Sequence, residues 1–134
     1  MIRPMATVLY VDDEDAIRRA VMTWLTRKGH VVHTAATVAA ALALLATEAI
    51  DGAFIDLWLG TESGLELQDW IDEHRPDFSA NIVFVTGDVP ATDAALRALG
   101  CLGRPVLGKP FDLEELEGWA ARWGARNGRP LPES

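Results

Sequence analysis

Short apolar runs alternate with longer amphipathic stretches along most of the chain. Such runs, flanked by helical patterns, predict buried parallel strands, and they lie at residues 7–11, 31–36, 52–57, 82–85 and 105–107. Apolar residues that recur every three or four positions predict helices near residues 15–28, 37–47, 63–75, 90–100 and 112–124. The alternation predicts an α/β domain, doubly wound as (βα)5 around a five-stranded parallel sheet. The expected strand order is 2-1-3-4-5, with the first and third strands side by side at the switch point.

Local signals mark the ends of the predicted helices. Gly29 is in the usual position after a helix C-terminus, and Thr37 is a suitable N-cap for the second helix. Ser63 and Glu66 have capping-box spacing at the start of the third helix. Asp112 is expected to cap the fifth helix in the same way. Between the third strand and the third helix we expect a loop, residues 58–62.

The apolar stripes also predict which side chains face the core. The inner face of the third helix is expected to carry Leu67, Trp70, Ile71 and His74. Most of the tryptophans lie in such stripes and are expected in the core, with Trp58 as the exception. His30, His33 and His74 lack metal-ligand spacing, and we interpret them as surface or helix-face residues.

The composition limits what the chain is able to bind. A length of 134 residues suits one domain, and a hydrophobic content of 49% is enough for a core. The net charge of −8 argues against nucleic acid, and no apolar run reaches the ~18 residues of a membrane span. One cysteine, Cys101, permits no internal disulfide. We therefore expect a cytoplasmic protein without nucleic-acid or membrane partners.

Polar residues stand where four of the predicted strands end. Asp12 and Asp13 follow the first strand, Asp56 lies near the end of the third, Thr86 follows the fourth and Lys109 follows the fifth. The carboxyl ends of parallel strands meet at the edge where ligands bind in open sheets. Taken singly, Asp12 and Asp13 are better explained as helix-terminal charges, Thr86 as a strand-end cap and Lys109 as a surface cation. Asp56 alone is explained equally well as a turn residue after a strand. Only their combination predicts a site.

Four segments containing these residues resemble one protein family. VLYVDDE, FIDLWLGTESGLEL, IVFVTGD and VLGKPFDLEEL are similar, in order and spacing, to the receiver domain of two-component response regulators, the CheY-like superfamily. The resemblance covers residues 7–124, which we interpret as the domain, with residues 1–6 as an N-terminal tail and 125–134 as a tail or linker. It implies a flavodoxin-like fold.

The resemblance also implies a role for each polar residue. Asp56 matches the phosphoacceptor. The metal-binding positions are matched by Asp13, which binds Mg2+ directly, by Asp12, which binds it through water, and by Trp58, whose carbonyl binds it. Thr86 matches the hydroxyl that bonds the phosphoryl group, and Lys109 matches the cation paired with the phosphoryl group and the acid. Crowded carboxylates repel one another and raise one another's pKa. Mg2+, which prefers oxygen ligands, together with Lys109 would remove that penalty. Pro110 matches a proline that follows a cis bond.

The implied function is a phosphorylation switch rather than a metabolic enzyme. Asp56 would take a phosphoryl group from the phosphohistidine of a sensor histidine kinase or histidine phosphotransfer protein, and the chain would catalyse its own phosphorylation and dephosphorylation. Phosphorylation would change a surface around the fourth helix, fifth strand and fifth helix that binds an unknown downstream protein. Two positions depart from the family: Gly60 replaces a proline, and Val106 replaces an aromatic switch residue. We also hypothesise that Trp58 slows hydrolysis.

Three other functions are weighed against this one. A degenerate receiver would act only as a protein-binding module, and the full set of acids argues against it. A phosphohydrolase with an aspartyl nucleophile would normally have a second acid two residues later, where Trp58 stands. A flavin-binding protein is disfavoured because the acidic turn after the first strand would repel a phosphate.

Overall fold

The computed structural model of the chain describes residues 5–87, 92, 94, 95, 97, 100 and 103–126. Within them the helices are α1 (Asp15–Arg27), α2 (Val38–Thr47), α3 (Leu65–His74) and α4 (Leu113–Arg126). The strands are β1 (Thr7–Val11), β2 (Val31–Ala35), β3 (Gly52–Asp56), β4 (Trp58–Leu59), β5 (Glu62–Ser63), β6 (Ile82–Thr86) and β7 (Val106–Gly108). The helix predicted near residues 90–100 lies largely outside the described residues, as does Cys101.

Five strands form one parallel sheet in the order β2-β1-β3-β6-β7. This confirms the predicted order 2-1-3-4-5, since β4 and β5 pair only with each other. The central strands β3 and β6 are buried along their whole length. Helices cover both faces of the sheet, so these strands carry apolar residues throughout instead of alternating with polar ones.

The core is divided into two clusters, one on each face of the sheet. One cluster contains Leu9 and Ile55 with residues of α2 and α3, and the other contains Tyr10 and Phe54 with residues of α1 and α4. Neighbouring residues of a strand point to opposite faces, which is why adjacent positions of β1 and β3 belong to different clusters. Gly52 allows Trp123 to lie against β3, because a Cβ atom at Gly52 would be 2.2 Å from Trp123 Cε3.

The predicted helix ends are confirmed at three places and wrong at one. Thr37 Oγ1 accepts a hydrogen bond from the Ala40 N–H at 3.1 Å, Asp112 Oδ1 accepts one from the Glu114 N–H at 3.0 Å, and Gly29 follows α1 with a φ of 95°. The capping box at Ser63 does not form. The Ser63 hydroxyl instead accepts from the Leu65 N–H at 3.2 Å, because Ser63 belongs to β5 and α3 begins at Leu65.

The loop expected at residues 58–62 is an antiparallel hairpin. Trp58 pairs with Ser63 and Leu59 with Glu62, and the turn between them begins with Gly60 at a φ of 65°. A positive φ at the first residue of a two-residue turn matches the twist of a hairpin, and glycine adopts it without steric cost. The glycine that replaces the family's proline therefore makes this turn.

Two histidines lie where the sequence did not place them. His30 is buried, because the chain returns into the sheet directly after the turn at Gly29, and its Nε2 lies 2.7 Å from Glu117 Oε2. His74 is exposed at the end of α3, where its ring stacks on Trp70.

The expectation that most tryptophans are core residues is also only partly correct. Trp123 is fully buried and Trp58 is exposed, as predicted for both. The other three, Trp24, Trp70 and Trp119, are half-buried. They pack against the core clusters without being enclosed by them.

Candidate functional site

The topology brings the ends of β1 and β3 together. These strands are adjacent and parallel, and Val11 pairs with Ile55. Asp12 follows β1 directly and Asp56 ends β3, so the two acids leave the sheet side by side. On the other side of β3, Asp56 pairs with Val85 of β6, and Thr86 is the next residue of that strand.

Three carboxylates form the floor of the candidate site. Oxygen atoms of Asp12, Asp13 and Asp56 all lie within 4.8 Å of one another. Asp12 and Asp56 are buried, with exposures of 0% and 4%, whereas Asp13 is exposed. The cluster is therefore open to solvent on the Asp13 side and closed by protein on the other.

Lys109 lies among the buried acids. Its Nζ is 2.7 Å from Asp56 Oδ2 and 2.9 Å from Asp12 Oδ2. It also lies 2.9 Å from Glu14 Oε1, a contact that the sequence analysis missed. Burial alone would lower the pKa of Lys109, but its hydrogen bonds to Asp56, Glu14 and Asp12 outweigh burial and raise the pKa. The ammonium is therefore charged and offsets part of the carboxylate repulsion.

Asp56 is held at both of its oxygen atoms. Oδ2 accepts from Lys109, and Oδ1 accepts from the Trp58 N–H at 3.0 Å. Burial raises the pKa of Asp56, while the hydrogen bonds from Lys109 and Trp58 act in the opposite direction without cancelling it. Trp58 contacts Asp56 through its backbone, and the residue is 52% exposed.

Thr86 and Lys109 come from neighbouring strands that are joined at the site. Thr86 is fully buried at the end of β6, and its carbonyl accepts a hydrogen bond from the Lys109 N–H at 2.8 Å. The Lys109–Pro110 peptide bond is cis, as the resemblance implies.

Two residues near Asp12 were also missed from the sequence. The Tyr10 hydroxyl donates to Asp12 Oδ2 at 2.8 Å, and Arg18 Nη1 donates to the Asp12 carbonyl at 2.7 Å. Tyr10 lies two residues before Asp12, so both side chains project from the same face of the chain. That spacing was the available signal, but an apolar face normally predicts a core tyrosine.

The response regulator receiver domain family matches residues 8–120. The chain belongs to this family. Receiver domains are the phosphoacceptor modules of two-component signalling, and this receiver has the flavodoxin-like fold of that group. No helix in the described ranges of this receiver is long and apolar enough to cross a membrane.

The receiver matches longer transcriptional regulators over only part of their length. It is 34% identical over 112 residues to the transcriptional regulatory protein GltR of Pseudomonas aeruginosa, covering 82% of this chain and 45% of that protein. It is 33% identical over 112 residues to the DNA-binding transcriptional regulator NtrC of Azospirillum brasilense, covering 83% of this chain and 22% of that protein. The receiver thus spans less than half of either relative.

Solved structures give the same fold. A CheY-like receiver domain protein from Methanospirillum hungatei superposes with a TM-score of 0.78 at 24% identity, over 92% of this chain and 96% of that one. A response regulator from Burkholderia pseudomallei, solved with a phosphorylated aspartic acid, a calcium ion and citrate, superposes with a TM-score of 0.75 at 25% identity. That match covers 90% of this chain and 69% of the other.

Proposed function

We propose that this receiver accepts a phosphoryl group on Asp56 in a Mg2+-dependent reaction, from the phosphohistidine of a sensor histidine kinase or histidine phosphotransfer protein. The observation that carries the proposal is the setting of Asp56. Lys109 Nζ and the Trp58 N–H each hold one of its oxygen atoms, and the acid cluster opens to solvent beside it. A carboxylate fixed in this way is oriented for attack on an incoming phosphorus atom.

The donor set fits a hard divalent cation. Three carboxylates within 4.8 Å supply the oxygen ligands that Mg2+ prefers, and Mg2+ keeps several of its waters. Asp13 and Asp56, with the Trp58 carbonyl, would hold the ion, and Asp12 would act through a water. When bound, Mg2+ would neutralise the acids and stabilise negative charge on the transferring group. The Burkholderia relative, with its phosphorylated aspartic acid and calcium ion, supports this assignment.

The chain's own residues then account for the transfer. An oxygen of Asp56 forms a bond to phosphorus while the bond from phosphorus to the donor nitrogen breaks, and the imidazole leaves. Lys109 and the Thr86 hydroxyl stabilise the charge on the equatorial oxygen atoms. Attack of water on the phosphorus of the resulting acyl phosphate breaks its bond to the Asp56 oxygen, releases inorganic phosphate and returns the free carboxylate. The receiver thereby catalyses its own phosphorylation and dephosphorylation and is not a metabolic enzyme.

The phosphorylated form would bind a downstream protein through the region of β7 and α4 and the segment between β6 and β7. Val106, in β7, replaces the aromatic residue of the usual switch, so the signal must reach this surface by another route. A cytoplasmic location and the absence of direct nucleic-acid and membrane contacts remain part of the proposal, and the net charge of −8 argues against nucleic acid. We keep 7–124 as the proposed domain, although α4 continues to Arg126.

A binding module without phosphorylation is the alternative, and the complete set of acids with Lys109 among them does not favour it. An experiment with phosphoramidate distinguishes the phosphoacceptor function from the binding-module function. Phosphoramidate is a small phosphodonor whose P–N bond resembles that of phosphohistidine. The receiver is incubated with phosphoramidate in MgCl2 or EDTA, reduced with borohydride and mapped by peptide mass. Borohydride reduces the acyl phosphate, so the reduced residue marks the phosphorylated position. A reduced Asp56 that is found in MgCl2 but not in EDTA supports the proposal. No modified peptide in either condition favours the binding module.

A further inference from the structure

The buried hydroxyl of Tyr10 donates a hydrogen bond to Asp12, the most deeply buried acid of the site. The residue is fully buried within β1, in the cluster that packs against α1 and α4. A buried phenol needs a hydrogen-bond partner, and the partner of Tyr10 is Asp12 Oδ2 at 2.8 Å. A phenylalanine would fill the same apolar space, so the hydroxyl is not required for packing.

In the described part of the chain, three groups donate to the Asp12 carboxylate. Oδ1 accepts from the Glu14 N–H at 3.0 Å, and Oδ2 accepts from Tyr10 and lies 2.9 Å from Lys109 Nζ. Lys109 is shared with Asp56 and Glu14. Two side chains donate to Asp12 among the described hydrogen bonds and ion pairs. Lys109 also serves other acids of the site, whereas the Tyr10 hydroxyl donates to Asp12 alone. A fully buried carboxylate needs such donors to remain ionised and fixed.

The ring of Tyr10 is itself held by two aromatic neighbours. Its centroid lies 6.4 Å from that of Phe111 in an edge-on arrangement, and 6.3 Å from that of Phe54. Phe111 follows the Lys109–Pro110 bond, and Phe54 contacts Trp123 of α4 at 4.7 Å. The packed core thus sets the direction of the hydroxyl, since the Tyr10 ring contacts Phe111 after Lys109–Pro110 and, through Phe54, α4.

We propose that Tyr10 is a positioning residue of the acid site, whose hydroxyl fixes the Asp12 carboxylate for cation binding. This inference rests on the proposed Mg2+ site. Donors that orient metal-binding carboxylates contribute strongly to affinity, and their loss typically weakens binding by about 10–100-fold.

The test is calorimetric titration of the receiver with MgCl2, without a phosphodonor. Tyr10→Phe removes only the hydroxyl, and we expect its dissociation constant for Mg2+ to rise by about 10-fold. The matched control is Thr47→Val, which removes a hydroxyl that donates to the Ala43 carbonyl on the exposed side of α2. Its dissociation constant should equal that of the wild type. Thermal unfolding in EDTA shows whether each variant is folded.

A double-mutant cycle with Asp12→Asn distinguishes positioning from a general structural effect. If Tyr10 acts through Asp12, then Tyr10→Phe should change Mg2+ affinity in the wild type but not in the Asp12→Asn background. Equal affinity of the wild type and Tyr10→Phe, or equal losses in both backgrounds, would overturn the inference and leave the Mg2+ site intact. Absence of saturable Mg2+ binding by the wild type would overturn the proposed function itself.

Discussion

Lys109 Nζ lies 2.7 Å from Asp56 Oδ2, although the two residues are 53 positions apart in the sequence. β6 separates their strands in the sheet, so the lysine reaches across one strand to the acid. Asp12, Asp56 and Glu14 share this one ammonium. In the absence of a metal ion, Lys109 is therefore the group that compensates the buried carboxylates.

Removal of that cation should destabilise the metal-free protein. Lys109→Met leaves Asp12 and Asp56 buried without their ion-pair partner. We therefore expect the free energy of unfolding in EDTA to fall by about 3 kcal/mol. Urea unfolding monitored by circular dichroism measures the change. Lys28→Met, which alters a lysine that lies over the Trp24 ring on the surface, should have little effect. Equal stability of Lys109→Met and the wild type would contradict this role.

The raised pKa of Asp56 predicts how stability depends on pH. Burial is the main cause of the increase from 3.8, so the folded protein retains this proton to higher pH than the unfolded chain does. As pH rises from 3.8 through the folded-state pKa, the unfolded chain ionises first and stability falls. In EDTA, the stability of Asp56→Asn relative to the wild type should therefore increase with pH over this range. A difference that is constant with pH would show that Asp56 has no raised pKa.

The indole of Trp58 should protect the phosphorylated state. Trp58 is exposed and its N–H holds Asp56 Oδ1, and we hypothesise that its bulk obstructs an attacking water. We expect acyl phosphate decay to become faster in the order wild type, Trp58→Phe, Trp58→Asn. Decay is followed by intact mass after the phosphodonor is removed. Equal decay rates in all three proteins would refute the hypothesis.

Two glycine substitutions of the same kind should have opposite effects on stability. Gly52→Ala places a Cβ atom 2.2 Å from Trp123 Cε3, and overpacking of this kind costs about 1–3 kcal/mol. Gly118→Ala, within α4, meets nothing within 4 Å and should stabilise by about 0.5–1 kcal/mol because alanine favours a helix. Denaturant unfolding of both variants measures the contrast. Stabilisation by Gly52→Ala would show that Trp123 is not packed against β3.

The sequence predicts those features that are determined locally. Residues 52–57 contain a continuous apolar run that ends in an acid, which was sufficient to place Asp56 at the carboxyl end of a central strand. The repeated strand–helix order then brought Asp12 and Lys109 to the same edge. Such inferences need only periodicity and the rules of parallel sheets.

The features that the sequence did not predict depend on distant contacts. The ring of buried His30 meets Glu117, which is 87 positions away, and no local pattern encodes that pairing. Ser63 has capping-box spacing, but the hairpin around Gly60 takes Ser63 into β5 and moves the start of α3. Tyr10 lies within the predicted first strand, and no local pattern shows that its hydroxyl points to Asp12.

The measurement that tests the central proposal most directly is intact mass after incubation with acetyl phosphate, with MgCl2 or EDTA, for the wild type and Asp56→Asn. We predict a gain of one phosphoryl group by the wild type in MgCl2, with no gain in EDTA and none in the variant. A gain by Asp56→Asn, or an equal gain in EDTA, would contradict the assignment of Asp56 as the Mg2+-dependent phosphoacceptor.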